Sequence, residues 1–329
     1  MPTKLSQYPE RRFTKLRISL TEICNLACTY CVDDKNAIPA YQFLPNHIEK
    51  QVRDNPKSLS SKAFLNIVKT IHSVSPLQEV RLTGGEPLLF KGIANLVAGI
   101  KELNIPKVHI TTNGIYLLHL ASKLKTAGLH SVNLSLDAID DTSFKEISKR
   151  SGLHRVIKGV DKLNELNIPF KINTVIMKGV NENQILPLIE FGMKYKAPVR
   201  FIELMKMGHI NRNFNQYFYS QKEILKDIEL KYSLNALERK PSATANYWET
   251  KSGFKIGIIA NESAPFCHDC NRLRLDSYGN LYGCLSSSLG VNVTNIERNK
   301  MKNTLSGLIL QKQQHSFKGN IMNMKYIGG

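Results

Sequence analysis

The stretch that decides the fold is LTEICNLACTYCVDDKN, residues 20–36, which directly follows a predicted strand at residues 15–20. It carries Cys24, Cys28 and Cys31 in the spacing C-x3-C-x2-C. Three thiolates can hold three corners of a four-iron cluster and leave the fourth iron open, whereas a closed structural site normally uses all of its positions. The spacing therefore favours a reactive iron–sulfur site. The alternatives are a zinc site completed by a distant ligand and a group of buried structural thiols.

The other cysteines form a second triplet of Cys267, Cys270 and Cys284, spaced C-x2-C-x13-C. Such grouping favours metal sites over disulfides, because residues 1–12 lack the apolar core of a secretory signal. Arg272 and Arg274 share one face of an extended segment beside this triplet, since side chains alternate along a strand. Two aligned guanidinium groups predict a phosphate site. The alternative is zinc with His268 or another residue as the fourth ligand.

The composition of the chain bounds its class and its partners. Its 329 residues, 42% of them hydrophobic, suit one large α/β domain with an appendage or two domains. No apolar run approaches the roughly 20 residues of a membrane span, so we expect a cytoplasmic protein without membrane contact. The net charge of +18 indicates an anionic partner. Because the basic residues are scattered and there is one Trp, we expect a phosphorylated small molecule rather than nucleic acid.

Strands and helices are predicted to alternate through the first two thirds of the chain. Predicted strands lie at residues 79–82, 107–111, 131–136, 170–176 and 199–204, and helical patterns at residues 92–103, 117–127, 141–150, 153–166 and 182–195. Counting the strand before the first cysteines, this predicts six parallel β/α units, an incomplete (β/α)6 barrel of the α/β class. We expect a tail at residues 1–12, the barrel at 13–215 and a C-terminal region at 216–329.

A second motif, Thr83-Gly84-Gly85-Glu86-Pro87, follows the second predicted strand. Paired glycines there let backbone groups approach a ligand closely, and Glu86 supplies charge, although such a motif alone is usually only a turn. Together with Tyr30, which directly precedes the third cysteine, it resembles the radical S-adenosylmethionine (SAM) enzymes. The resemblance implies that the open iron chelates SAM and that an electron from the cluster cleaves SAM to a 5'-deoxyadenosyl radical.

A narrower resemblance comes from Arg17, residues 171–175, 200–205 and 270–274, and the terminal Gly328-Gly329. These segments are similar to the GTP 3',8-cyclases of molybdenum cofactor biosynthesis, which are radical SAM lyases. The resemblance implies a C-terminal region with a second four-iron cluster, whose open iron binds the guanine of GTP. In the implied reaction, C3' of the ribose loses a hydrogen and then attacks C8 of guanine.

The resemblance also implies roles for individual residues. The two cysteine triplets would ligate two [4Fe-4S] clusters. The SAM site would be formed by Tyr30, Gly84, Gly85, Glu86, Ser135 and Met205. Contacts to GTP would come from Arg17, Arg81, Thr111, Lys171, Arg200, Arg272, Leu273 and Arg274, of which Arg17, Arg272 and Arg274 would be catalytic. An external electron donor, a downstream cyclic pyranopterin monophosphate synthase and, by analogy, a homodimer complete the expectation.

Several positions depart from the pattern of this family. They are Val32-Asp33-Asp34 after the third cysteine, Glu79, Phe90, Lys206 and residues 285–295. The departures call into question the identity of the substrate more than the radical reaction. Two alternatives therefore stay open: a radical SAM enzyme with one auxiliary cluster that acts on a peptide or another small molecule, and a metal-stabilised nucleic-acid-binding protein.

Overall fold

A computed structural model describes residues 12–32 and 58–327. Six parallel strands pair in chain order and form the predicted incomplete barrel. They are β1 (Lys15–Ser19), β2 (Glu79–Thr83), β3 (Lys107–Thr112), β4 (Ser131–Ser135), β5 (Phe170–Ile176) and β6 (Val199–Glu203). The predicted fold class is therefore confirmed, with strand bounds that differ from the predicted ones by a residue or less.

Helices cover the outside of these strands. They are α1 (Ser61–Val74), α2 (Ile93–Glu102), α3 (Leu117–Thr126), α4 (Asp141–Ser148), α5 (Leu153–Glu165) and α6 (Ile185–Lys194). Ser60 caps α1, since its side chain accepts a hydrogen bond from the Ala63 amide at 3.3 Å. Strand alternation divides the barrel side chains into two sets: Leu16 and Ile18 are fully buried in the core, whereas Arg17 between them lines the interior of the barrel.

The C-terminal region extends the same sheet at both of its edges. Its strands are β7 (Leu234–Leu237), β8 (Asn246–Thr250), β9 (Lys255–Ile259), β10 (Arg272–Leu275), β11 (Asn280–Tyr282) and β12 (Val291–Asn292). The order across the 12-stranded sheet is β12-β11-β10-β1-β2-β3-β4-β5-β6-β9-β8-β7. Strand β10 pairs in parallel with β1, and β9 pairs in parallel with β6. Both edges of the six-stranded barrel are thus covered, and the division at residue 215 stays a prediction.

Four further helices belong to the later part of the chain: α7 (Phe214–Tyr217), α8 (Gln221–Glu229), α9 (Arg298–Ile309) and α10 (Met324–Ile327). In α10, Ile327 is fully buried, and its carbonyl accepts a hydrogen bond from Arg274 at 3.3 Å. The end of the described chain is therefore tied to the interior of the barrel. The predicted N-terminal tail, up to residue 11, and the Gly328-Gly329 tail lie outside the described residues. None of the helices in residues 12–32 and 58–327 has the length and apolar character needed to cross a bilayer.

Candidate active site

The first cysteine triplet lies in the loop that follows β1. The loop turns tightly, because the amides of Cys31 and Val32 both donate to the Cys28 carbonyl, at 2.8 and 3.0 Å. The Leu26 amide donates to the Cys24 sulfur at 3.4 Å. Burial raises the pKa of Cys24 to about 12, and the Cys31 thiol adds to the shift. The three thiols are thus close enough for their charges to interact, as ligands of one cluster must be.

Gly84 and Gly85 pack against this loop backbone to backbone. The Gly85 amide donates to the Thr21 carbonyl at 2.6 Å, and a Cβ atom on Gly85 would lie 2.3 Å from the Ile23 carbonyl oxygen. Gly84 has a φ of +146°, which an L side chain rarely adopts. The glycines are therefore required by the contact between the two motifs. Their predicted role toward SAM stays a prediction.

The carboxylate of Glu86 joins the loops after β2 and β3. It is 1% exposed and accepts hydrogen bonds from the Thr112 hydroxyl at 2.6 Å and the Asn113 amide at 2.8 Å. Burial raises its pKa to about 7, against the effect of these hydrogen bonds. The Asn113 side chain in turn lies 3.9 Å from the Cys24 sulfur. Glu86 thus supports the cysteine loop through Asn113, and direct contact with SAM stays a prediction.

Tyr30 is held by a residue for which the sequence predicted no role. Its hydroxyl donates to Asp137 at 2.7 Å, and the other oxygen of Asp137 accepts from the Val175 amide at 2.8 Å. Burial raises the pKa of Asp137 to about 6, and the Tyr30 hydrogen bond opposes the shift. Asp137 follows Ser135, the last residue of β4. Tyr30 and Ser135 therefore lie at the carboxyl ends of the strands, on the side of the first triplet.

A cavity of about 590 Å³ occupies the interior of the barrel. Its lining includes most of the residues predicted to contact GTP, together with Met205: Arg17, Arg81, Thr111, Lys171, Arg200, Met205, Arg272 and Arg274. The second cysteine triplet, Cys267, Cys270 and Cys284, lines the same cavity. Leu273 is the exception, because its side chain is fully buried in the hydrophobic core. Only its main chain could contact a ligand in the cavity.

Sequence reasoning missed several polar side chains of this cavity. They are Lys15, Lys107, His109, Asn133, Asn173, Tyr247 and Lys312. Strand alternation was the signal that could have found the first three: Lys15 lies two positions before Arg17, and Lys107 and His109 precede Thr111 at the same spacing. Tyr247 and Lys312 carried no such signal, because they reach the cavity through contacts that are distant along the chain.

Glu79 is an acidic residue within this basic lining. Its carboxylate lies 2.7 Å from Arg81 and 3.8 Å from His109. Burial raises the pKa of Glu79, but Arg81 and His109 outweigh it and bring the pKa to about 2. Arg81 Nη1 and Arg200 Nη2 are buried and have no hydrogen-bond partner among the described residues. Because buried polar atoms are seldom left unpaired, these donors indicate that the cavity accepts an anion.

The second triplet lies beside a group of cations at the start of β10. The Cys270 amide donates to the Cys267 carbonyl at 3.3 Å, and Lys312 Nζ lies 3.2 Å from the Cys270 sulfur. Burial raises the pKa of Cys270, but the charges of Arg272 and Lys312 outweigh it and bring the pKa to about 6. The charges thus favour the thiolate form of Cys270, whereas burial raises the pKa of Cys267 to about 11.

The two triplets lie at opposite ends of the barrel. The first follows β1, whereas Cys267 and Cys270 precede β10, which runs parallel to β1 from Arg272 opposite Lys15. A five-residue strand spans roughly 16 Å, so the ends are separated by about that distance. The cavity is thus placed between the two candidate cluster sites. Its strongly basic part extends to the amino ends of the strands, where Lys15, Lys107 and Arg272 line it.

The geometry of the thiols bears on the zinc alternatives. Tetrahedral zinc with bonds of about 2.3 Å would bring its thiolate ligands within about 4 Å of one another. No group of three His, Cys, Asp or Glu side chains in residues 12–32 and 58–327 converges in a way that could hold a single ion. A four-iron cluster binds each thiolate through a different iron, so its ligands need not converge on one point. Each triplet supplies three thiols, which is the number that leaves one iron of a four-iron cluster open.

Two of the departures from the family pattern, Phe90 and Lys206, have ordinary packing partners. Phe90 packs edge-on against Phe64, with ring centroids 5.7 Å apart. Lys206 lies 3.6 Å from the Glu262 carboxylate and 4.6 Å from the centroid of the Phe214 ring. Asp33 and Asp34 lie outside the described residues. Phe90 and Lys206 therefore add no acidic group to the lining of the cavity, whereas Glu79, another departure, places a carboxylate in it.

Comparison with known proteins confirms both resemblances. Residues 18–192 match the model of the radical SAM superfamily, and residues 197–318 match the model named molybdenum cofactor synthesis C. A GTP 3',8-cyclase of Synechocystis sp. is 34% identical over 91% of this chain and 88% of its own length. A GTP 3',8-cyclase of Clostridium botulinum is 37% identical over 87% of this chain and 85% of its own.

Solved structures show the same fold at low sequence identity. Streptococcus suis SuiB bound to S-adenosylmethionine superposes with a TM-score of 0.59 at 18% identity, covering 93% of this chain and 68% of SuiB. Native anSMEcpe with bound AdoMet and the Cp18Cys peptide gives 0.54 at 16% identity, covering 92% of this chain and 84% of that one. The family models and the cyclase relatives together establish that this chain belongs to the radical SAM superfamily and, within it, to the GTP 3',8-cyclase family.

Proposed function

We propose that the protein is a GTP 3',8-cyclase, a radical SAM lyase that joins C3' of the ribose to C8 of guanine. The product is (8S)-3',8-cyclo-7,8-dihydroguanosine 5'-triphosphate, from which molybdopterin is made. The observation that carries the proposal is the cavity between the two cysteine triplets, lined by Arg17, Arg81, Lys171 and Arg272. A peptide substrate would not call for so many cations, and the relatives are named as cyclases.

Two [4Fe-4S] clusters and SAM are the cofactors that this family uses. In this chain Cys24, Cys28 and Cys31 would hold one cluster, and Cys267, Cys270 and Cys284 the other. When bound, the first cluster and SAM supply a 5'-deoxyadenosyl radical that removes the C3' hydrogen of GTP. Tyr30, Gly84, Gly85, Glu86, Ser135 and Met205 are the residues that we assign to the SAM site.

The residues of the cavity orient the nucleotide. A triphosphate carries about four negative charges, and converging guanidinium and ammonium groups are suited to hold it. The phosphates would contact Arg17, Arg81, Lys171, Arg200, Arg272 and Arg274, and Thr111 would add a hydroxyl. With the guanine beside the second triplet, the ribose lies between the bound base and the first triplet. When the cavity fixes GTP beside the SAM site, the reacting groups no longer have to meet in solution. This fixed geometry accounts for a large part of the acceleration of the reaction.

The partners belong to the same proposal. An external electron donor reduces the enzyme, and the product passes to a cyclic pyranopterin monophosphate synthase. None of the six cysteines, all of which lie in the described part of the chain, forms a disulfide, which suits the reducing conditions of the cytoplasm. We include a homodimer by analogy with the family. The division of the chain into two regions at residue 215 is also part of the proposal.

Anaerobic turnover tests the proposal. The protein is reconstituted with iron and sulfide and incubated with a reductant, SAM and GTP, and the products are identified by mass spectrometry. We expect 5'-deoxyadenosine together with a cyclised nucleotide of the mass of GTP. Formation of 5'-deoxyadenosine without the nucleotide would contradict GTP as the substrate. Formation of neither by protein that carries both clusters would contradict the enzyme assignment.

A further inference from the structure

The segment that follows α9 contacts both loops of the second triplet. Gln311 accepts a hydrogen bond from the Gly283 amide at 2.9 Å, directly before Cys284. A Cβ atom on Gly283 would lie 2.1 Å from the Leu308 carbonyl oxygen, so the loop needs glycine to approach the end of the helix. Lys312, the next residue after Gln311, reaches the other loop at Cys270. The end of α9 therefore holds the two ligand-bearing loops together.

Lys312 is a buried lysine with specific polar contacts, unlike a lysine on the surface. It is 9% exposed, and its ammonium group lies 5.2 Å from the centroid of the Phe13 ring. Nζ donates to the Cys270 sulfur at 3.2 Å and also to the Arg272 carbonyl. Two of its three protons are thus directed at the strand end and at one thiol.

The charge of Lys312 has no carboxylate partner. None of the ion pairs formed within residues 12–32 and 58–327 includes it. A buried ammonium group is costly unless a negative charge compensates it. The group within reach is the Cys270 sulfur at 3.2 Å, and a cluster bound there would supply the negative charge. The position of Lys312 is therefore explained by an anionic metal group at the second triplet.

We propose that Lys312 is a positioning residue of the second cluster, which holds Cys270 in its ligand geometry and raises the reduction potential of that cluster. The inference rests on the proposed function, because it requires the second cluster. A hydrogen bond to a ligand sulfur and a nearby positive charge both stabilise the reduced cluster, which carries one more negative charge. Lys312 would thus act as a positively charged hydrogen-bond donor to the sulfur of one cluster ligand.

No cation is among the described groups whose charges act on Cys24 and Cys28 of the first triplet. The donors near Cys24 are neutral, namely the Leu26 amide at 3.4 Å and the Asn113 side chain at 3.9 Å. Apart from the other thiols, the described ionisable groups that act on these two thiols are the carboxyl groups of Glu86 and Asp137 and the Tyr30 hydroxyl. The two cluster sites therefore differ in local charge, and loss of Lys312 should affect the second cluster alone.

A redox titration of the reconstituted holoenzyme, followed by electron paramagnetic resonance, tests this inference. The signal that SAM perturbs reports the first cluster, and the signal that GTP perturbs reports the second. In Lys312→Met we expect the ratio of reduced to oxidised second cluster, measured at the wild-type midpoint, to fall about tenfold, which is a shift of about 59 mV for one electron. The first cluster should be unchanged. Lys302→Met is the matched control, because Lys302 is an exposed lysine of α9, the helix that precedes Lys312.

Lys312→Arg keeps the test informative if Lys312→Met cannot hold the second cluster. Loss of the GTP-perturbed signal in Lys312→Met with its retention in Lys312→Arg would support a cationic donor. An unmoved potential in Lys312→Met, a shift equal to that of Lys302→Met, or loss of the cluster in both Lys312 variants would overturn the inference. Wild-type protein that forms no second cluster would overturn the proposed function as well, and so the two failures are distinguishable.

Discussion

Arg17 lies between Arg274 and Arg81 in the registers of three neighbouring strands. Since adjacent strands are about 4.8 Å apart, the three guanidinium groups start from one level of the barrel. Burial lowers the pKa of Arg17 well below its usual value, and the charges of Arg274 and Arg81 lower it further. Such a row is unfavourable in the free protein, so it indicates a polyanionic ligand that relieves the repulsion.

Removing one arginine should weaken nucleotide binding without disturbing the radical chemistry. We expect Arg272→Ala and Arg274→Ala to bind GTP roughly ten to a hundred times more weakly, since a hydrogen bond to a charged group contributes about 1.5–3 kcal/mol. Both clusters and SAM cleavage should remain. Isothermal titration with GTP measures the effect, and Arg155→Ala, on the exposed surface of α5, is the control. Unchanged GTP affinity in both variants would contradict the phosphate assignment.

Glu79 should stabilise the free protein in a pH-dependent way. Its pKa is lowered from 4.5 to about 2, so the ionised form is favoured in the folded state. The stabilisation is present above the unfolded value of 4.5 and is lost as the pH falls through about 2. At pH 7 we expect Glu79→Gln to lower the free energy of unfolding of the apoprotein by about 3 kcal/mol. The difference should shrink below pH 4.5.

Urea unfolding of the apoprotein at several pH values measures this effect. Glu238→Gln removes an equal charge from an exposed residue that lines the same cavity, and it should have little effect. A difference between wild type and Glu79→Gln that stays constant from neutral pH to acid would contradict the ion-pair explanation.

At the scale of elements, the contact between the first cysteine loop and the loop after β2 depends on glycine. In Gly85→Ala the new methyl group would meet the Ile23 carbonyl at 2.3 Å and the Glu22 carbonyl at 2.8 Å. Because both obstacles are backbone atoms, the loops must move apart. We expect this variant to lose the first cluster and SAM cleavage while keeping the second cluster, as measured by iron content and 5'-deoxyadenosine formation.

Gly307→Ala is the matched control for this substitution. Gly307 lies in α9, and a Cβ atom there would have no heavy atom within 4 Å. Alanine should therefore be neutral or stabilise the helix by up to about 1 kcal/mol. Full iron content in Gly85→Ala would show that the loops tolerate the methyl group and would contradict the assigned contact.

The alternating elements of the barrel could be predicted because their signals are local. Apolar strands and amphipathic helices repeat from β2 to α6. The pairing of β9 and β10 with opposite edges of the barrel could not be predicted, because a strand of four or five residues does not specify a distant partner. The roles of Tyr247 and Lys312 depended on that pairing and were missed with it.

The site was predicted where type and spacing sufficed. The six cysteines and most of the arginines were found by motif, and strand alternation correctly placed Arg272 and Arg274 on one face. The same alternation directs Leu273 into the core, although a motif carried over residue by residue had assigned it to the substrate. Side-chain direction therefore has to be checked for each residue of a transferred motif.

At the scale of the whole molecule, the barrel depends on the C-terminal region for both of its edges. Without residues 216–329, β1 and β6 would lose their outer neighbours β10 and β9. Unpaired edges of a parallel sheet promote aggregation. We expect a fragment of residues 1–215 to aggregate, as measured by size-exclusion chromatography. A monomeric fragment that unfolds cooperatively would show instead that the barrel is an independent domain.

The most direct test of the central claim follows the hydrogen at C3' of GTP. In the proposed arrangement, the ribose lies between the base bound at the second triplet and the SAM site at the first. Anaerobic turnover of GTP that carries deuterium at C3' should therefore place one deuterium in 5'-deoxyadenosine and leave none at C3' of the cyclised nucleotide. Unlabelled 5'-deoxyadenosine formed together with a product that retains the deuterium would contradict the account.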